Sequence, residues 1–110
     1  MGKKINLEKM ISAGTIILSG RDKGEALREK LSLDSLEDSE EMIEIVIPEA
    51  IVSFNSSYFL GLFTPSIKKY KTKEGFFEKY NFTCDKYIMQ DINDGIDEAL
   101  KKTNSLWRDL

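Results

Sequence analysis

Four side chains within five residues, Ser53, Asn55, Ser56 and Ser57, concentrate more hydrogen-bonding chemistry than any other stretch of this sequence. Three hydroxyls and an amide are good acceptors for the unpaired N–H groups of a helix's first turn. The same hydroxyls could contact a partner protein or accept a phosphoryl group. Capping alone also explains them, and the residue types do not separate these readings. A second, weaker constellation is Ser19-Gly20-Arg21. It opens a helix, where backbone N–H groups and a guanidinium could hold an anion. Capping by Ser19 accounts for it equally well.

What is missing narrows the chemistry further. Histidine is absent, and Cys84 is the single cysteine. The commonest general base is therefore lacking, and neither a zinc site nor a Cys–His nucleophile can be assembled from this chain. Carboxylates remain, but no pair of acids stands out. No catalytic residue, metal site or cofactor is assigned, and a non-enzyme is expected. Cys84 reads as a small buried apolar residue. A lone cysteine makes no internal disulfide, which fits a reducing cytoplasm. The net charge of −3 is mild and suggests neither a nucleic-acid binder nor a membrane-surface binder. No apolar run is long enough for a signal-peptide core or a membrane span.

The elements that must position these residues follow from the pattern. The chain of 110 residues supports one domain, 1–110. Residues 3–10 alternate and read as an edge strand. Ser12-Ala13-Gly14 is a turn, and residues 15–18 form a short strand, so a hairpin is expected. A helix follows, capped by Ser19, with Ala26, Leu27 and Leu31 inward and Arg28 facing water. Gly24 within it points to close packing. The acidic stretch 34–41 reads as a solvated loop.

Ile43, Ile45, Val46 and Ile47 suit a strand covered on both faces. Pro48 ends its ladder. After the serines, Phe59, Leu62, Phe63 and Ile67 recur at helical spacing. Pro65 should kink that helix, or restart it with Thr64 as the cap. Lys68, Lys69, Lys71 and Lys73 suit a helix C-terminus, with an anion-binding patch as the other reading. Gly75 marks a turn, and residues 76–84 alternate as a further strand. Ile88, Ile92, Ile96, Ala99 and Leu100 define a last helix over residues 89–103, and 104–110 form a tail in which Trp107 packs. The order β-β-α-β-α-β-α indicates an α/β sandwich: a small mixed sheet of about four strands with three helices.

The segments SFNSSYFLGLFTPSIKKY, KEGFFEKYNFTC and DINDGIDEAL, with SGRDKGEALREKL upstream, resemble the STAS-like family of unknown function. That family is named for the sulphate transporter and anti-sigma factor antagonist domain. The resemblance covers residues 12–102 and implies a STAS-type fold. In anti-sigma factor antagonists, an Asp-Ser-Ser element begins the helix after a central strand, and a histidine-kinase-like ATPase phosphorylates its first serine. Asn55-Ser56-Ser57 stands at the matching place, which makes Ser56 the candidate, with Asn55 where the acid would be. The resemblance thus implies a cytoplasmic regulatory module, monomeric or weakly dimeric, that binds a protein partner. A small-ligand or nucleotide-binding domain using Ser19, Gly20 and Arg21 is the alternative.

Overall fold

The computed structural model describes residues 2–108, with side chains through residue 102. Among these residues the chain forms an α/β fold of five strands and five α-helices. The strands are β1 (Lys3–Asn6), β2 (Ile17–Leu18), β3 (Ile43–Val46), β4 (Ser53–Phe54) and β5 (Tyr80–Thr83). The helices are α1 (Arg21–Leu31), α2 (Leu33–Glu37), α3 (Ser56–Tyr70), α4 (Lys73–Lys79) and α5 (Lys86–Arg108), and a 3-10 turn covers Leu7–Lys9.

The strands form two small sheets, one of order β1-β3-β5 and one pairing β2 with β4, and every pairing is parallel. The expected hairpin between the first two strands is therefore absent, and the sheet is not mixed. β1 and β2 lie in different sheets, each paired with a strand from beyond α1 and α2. Ser12–Gly14 does form the expected turn, closed by Thr15 N–H donating to Ser12 O at 3.1 Å. It redirects the chain between sheets instead of folding it back on β1.

The helices cover one face of the larger sheet. Ile43, Ile45 and Ile47 are buried while Glu44 and Val46 are half-exposed, so β3 alternates and is not covered on both faces. β5 behaves likewise, with Tyr80 and Phe82 inward and Asn81 and Thr83 outward. The open face is polar: Lys4 pairs across to Glu44, and the Thr83 hydroxyl donates to Glu44 Oε2 at 2.6 Å. α3 lies over the buried face. Its Phe63 ring meets Phe59 and Tyr80 at 5.1 Å and Phe82 at 5.7 Å, in tilted and edge-to-face contacts. α1 and α5 both pack on α3.

Four segments differ from what the sequence pattern implies. The acidic loop expected at 34–41 begins instead as α2, because Leu33 and Leu36, three apart, give it an inner side and Leu33 is fully buried. Residues 73–79 are helical, where a turn at Gly75 and a strand from Phe76 were expected. Thr72 caps this helix, accepting from Gly75 N–H at 2.9 Å, and Gly75 lies inside it. Phe76 and Tyr80 are four residues apart, a spacing that serves a helical turn as well as alternation, and their rings stack at 5.0 Å. Pro65 neither breaks nor restarts α3, which runs from Ser56 to Tyr70. α5 extends through Arg108, over most of the expected tail, and the Trp107 side chain lies outside the described residues.

Gly24 and Gly61 set how closely α1 and α3 approach. A Cβ on Gly24 would overlap the Tyr58 carbonyl oxygen and stand 2.9 Å from Leu62 N. One on Gly61 would overlap the Arg21 carbonyl oxygen and stand 2.9 Å from Glu25 N. The obstacles are backbone atoms of the facing helix, which cannot turn aside as a side chain can. Gly24→Ala should therefore destabilise the protein by about 1–3 kcal/mol through overpacking, despite a helix-propensity gain of about 1 kcal/mol. A lowered urea midpoint with an unchanged m-value checks this, and an unchanged midpoint would show that the helices separate freely.

Candidate functional site

The two constellations read from the sequence meet in space. β2 and β4 run side by side, with Ile17 opposite Ser53 and Leu18 opposite Phe54. Each leads into a helix, α1 after β2 and α3 after β4. Asn55 N–H donates to Leu18 O at 2.8 Å, which continues the ladder into the loops. Gly20 N–H then donates to Ser57 Oγ at 3.2 Å. Both helix N-termini thus open at one rim, beyond the C-terminal ends of parallel strands.

Asn55 is the N-cap of α3, and its Oδ1 accepts from Ser57 N–H at 3.0 Å and from the Ser57 hydroxyl at 3.1 Å. Ser57 is accordingly committed to the fold, donating to Asn55 while accepting from Gly20. Ser56 is half-exposed at the first helical position, and Ser53 lies half-buried in β4. Ser19 does not cap α1. Gly20 is the N-cap, with φ +97°, a conformation that disfavours any residue with a Cβ, and it makes no side-chain cap. Arg21 lines the groove between α1 and α3, a cleft of about 560 Å³ that Glu25, Glu29 and Lys68 also line. Its charge is mixed, and the Lys23 N–H of the same first turn already donates to Asp22 Oδ1 at 3.0 Å.

An apolar patch adjoins the rim. Ile16, Ile17 and Val52 are 52 %, 51 % and 63 % exposed, and Val52 N–H donates to Ile16 O at 2.8 Å. Tyr87, 68 % exposed, lies one turn before Asp91 on α5. Asp91 Oδ2 accepts the Phe54 N–H at 2.9 Å, where the small sheet ends.

A buried polar cluster, which the sequence reading missed, joins α1, α2, α3 and β5. Arg28, expected in water, is 7 % exposed. Its Nη1 donates to Leu62 O and to Ser66 Oγ, both at 2.8 Å, and its Nη2 donates to Asp34 Oδ1 at 2.7 Å. Glu37 Oε2 stands 3.6 Å from Nη2 and accepts from the Ser66 and Tyr80 hydroxyls. Burial, then the bond to Glu37, pushes the Tyr80 phenol well above its ordinary range. Burial, with Glu37 nearby, pushes Tyr70 up to about 12. The Glu37 side chain is 2 % exposed, so the centre of the cluster is buried and ties elements together, while Asp34 at its edge reaches solvent. The only sequence hint was Glu37 at i+4 from Leu33, on the inner side of a short helix.

Two of the four clustered lysines are paired at the surface. Lys69 lies 3.8 Å from Glu37 and 3.7 Å from Asp38, and Lys73 lies 3.0 Å from Asp97. Cys84 is half-buried, and burial with the neighbouring Asp85 pushes its thiol up, away from the reactive thiolate. Among the described residues no three of the acids and cysteine cluster as a metal site, and no helix is long and apolar enough to cross a membrane. No protein-family model, characterised protein or solved structure matches the chain.

Two outcomes follow. Ser57→Ala removes a donor to Asn55 and the acceptor for Gly20 N–H, and should cost about 0.5–1.5 kcal/mol; Ser56→Ala should leave the denaturation midpoint nearly unchanged. Equal effects would mean that Ser57 is not the link. Separately, phenols whose folded pKa is raised stay protonated when the unfolded chain begins to ionise near pH 10, so stability is full below pH 10 and falls as pH rises beyond it. Urea midpoints from pH 8 to 11 should show this fall, and Tyr80→Phe should flatten it.

Proposed function

We propose that the protein is a non-catalytic regulatory module that docks a protein partner on the rim formed by the β2–β4 ladder and the first turns of α1 and α3. The observation that carries this reading is the patch of Ile16, Ile17 and Val52, exposed beside the serine-rich loop. Apolar side chains left in water next to hydroxyls and a cap amide are what a protein interface uses. Ser53, Asn55 and Ser56 supply the polar part of the surface, and Ser57 holds the two loops in register.

The STAS-like resemblance of the segments around these residues supports the same reading and suggests a histidine-kinase-like ATPase as the partner. The two parallel sheets differ from the single mixed sheet that the order of elements implied, so the proposal rests on the rim. A phosphate on Ser56 would sit at a helix N-terminus, where the fold tolerates added charge. Toward a partner it would replace a neutral contact with about −1.5 to −2 charge. That is a binary signal from a module without chemistry of its own. The second reading, a small anionic ligand or nucleotide, is favoured by Arg21 in the groove between α1 and α3.

Affinity capture from the native cell with the tagged protein, alongside Ile17→Lys, Val52→Glu and Ser56→Asp, tests the proposal. The expected result is one protein retained by the unaltered chain and lost from all three variants while their circular dichroism is unchanged. A phosphate on Ser56 in the recovered bait would extend it. A partner retained equally by all variants would place the interface elsewhere. Thermal stabilisation by ATP, GTP or inorganic phosphate, lost on Arg21→Ala, would favour the second reading.

A further inference from the structure

Among the described residues, the outer edge of β1 carries backbone groups without a strand partner. β1 pairs with β3 alone. Lys3 N–H donates to Met42 O at 2.8 Å, so Lys3 and Ile5 turn their amides toward β3, and strand alternation turns those of Lys4 and Asn6 outward. A groove of about 530 Å³ runs along that free edge. Met10, Leu31 and Leu36 supply apolar surface within it, each packed on or within the core. Lys3, Lys4, Lys9 and Lys30 stand around it, and no acidic residue lines it. On a chain of net charge −3, this groove is a local field of opposite sign.

We propose that the groove takes an extended acidic segment of a partner protein, added as a strand to the free edge of β1. The backbone groups of Lys4 and Asn6 supply the ladder, the apolar surface supplies side-chain contacts, and the lysines select charge. Side chains alternate along a strand, so the fitting segment sets apolar residues toward Met10, Leu31 and Leu36 and carboxylates toward the lysines. A second copy of this chain does not suit the site, because pairing two such edges sets lysines against lysines. The chain's own acidic run is also committed, since its first half folds into α2 and the Ser39 and Glu41 carbonyls beyond it accept from Lys79 Nζ. This surface lies on a different sheet from the β2–β4 rim and does not rest on it.

The test uses isotope-labelled protein titrated with a capped peptide of about eight residues alternating Val and Glu, and with its Val–Lys counterpart. The expected result is saturable binding of the Val–Glu peptide alone, with shifted and exchange-protected amides at Lys4 and Asn6. Affinity should fall about tenfold in Lys4→Glu/Lys30→Glu, both exposed positions, with circular dichroism unchanged. No binding of the Val–Glu peptide at millimolar concentration would overturn the proposal and leave the lysines as guards of an edge. Equal binding of both peptides, shifts confined to residues away from β1, or dimerisation through β1 without peptide would overturn it as well.

Discussion

The contact of two helix backbones at Gly24 and Gly61 is the constraint on which the rest of this fold depends. Because neither position has a side chain, α1 and α3 approach until carbonyl and amide groups meet. That approach brings the two N-termini together, so that Gly20 reaches Ser57. One turn further along α1, it lets the Arg28 guanidinium reach the Leu62 carbonyl and Ser66 on α3. The rim at one end and the buried Arg28–Glu37 cluster at the other are two consequences of the same spacing.

The polar cluster would be costly anywhere else. A guanidinium and a carboxylate taken out of water each lose several kcal/mol of hydration, recovered only if hydrogen bonds and opposite charge surround them. Here Arg28 has four acceptors close by, and Glu37 has two hydroxyls and two cations. Such a cluster specifies one arrangement. α2 must place Glu37, α3 must place Ser66, and Tyr80 must leave α4 at the start of β5. An apolar core tolerates some sliding of helices, whereas this one does not.

A parallel sheet with a single covered face is unusual, since such sheets are ordinarily buried on both sides. This chain manages it with a polar open face and lysines on the β1 edge. Its apolar exposure is concentrated on the small β2–β4 sheet. The surface is therefore uneven in a way that bears on function: one edge is basic, and one rim is apolar with hydroxyls.

Much of the local structure was legible in the sequence because it depends on neighbours within a turn or two. The Ser12–Gly14 turn, the capping role of the Asn55 region, the apolar side of α3 and the close packing at Gly24 all follow from residue type and spacing. Ambiguity arose where one pattern serves two periods. Phe76, Tyr80 and Phe82 fit both an alternating strand and a helical turn followed by a strand, and the tertiary stack of Phe76 on Tyr80 decided between them. Short helices were missed because in α2 only Leu33, Leu36 and a buried acid mark the inner side, and a buried acid looks like a solvated one until its partners are known. By itself, the sequence determined that the chain has no histidine and a single cysteine, pointed to an α/β order, and picked out the serines and the Gly20 turn as separate points of interest. Only the tertiary structure decided that the strands pair in parallel, that Arg28 and Glu37 are buried together, and that the serines and the Gly20 turn form one rim. The reason is that strand pairing and contact between helices join residues some thirty or more positions apart, a distance no local spacing encodes, while Arg28 and Glu37, though near in sequence, are buried by Ser66 and Tyr80 from α3 and β5.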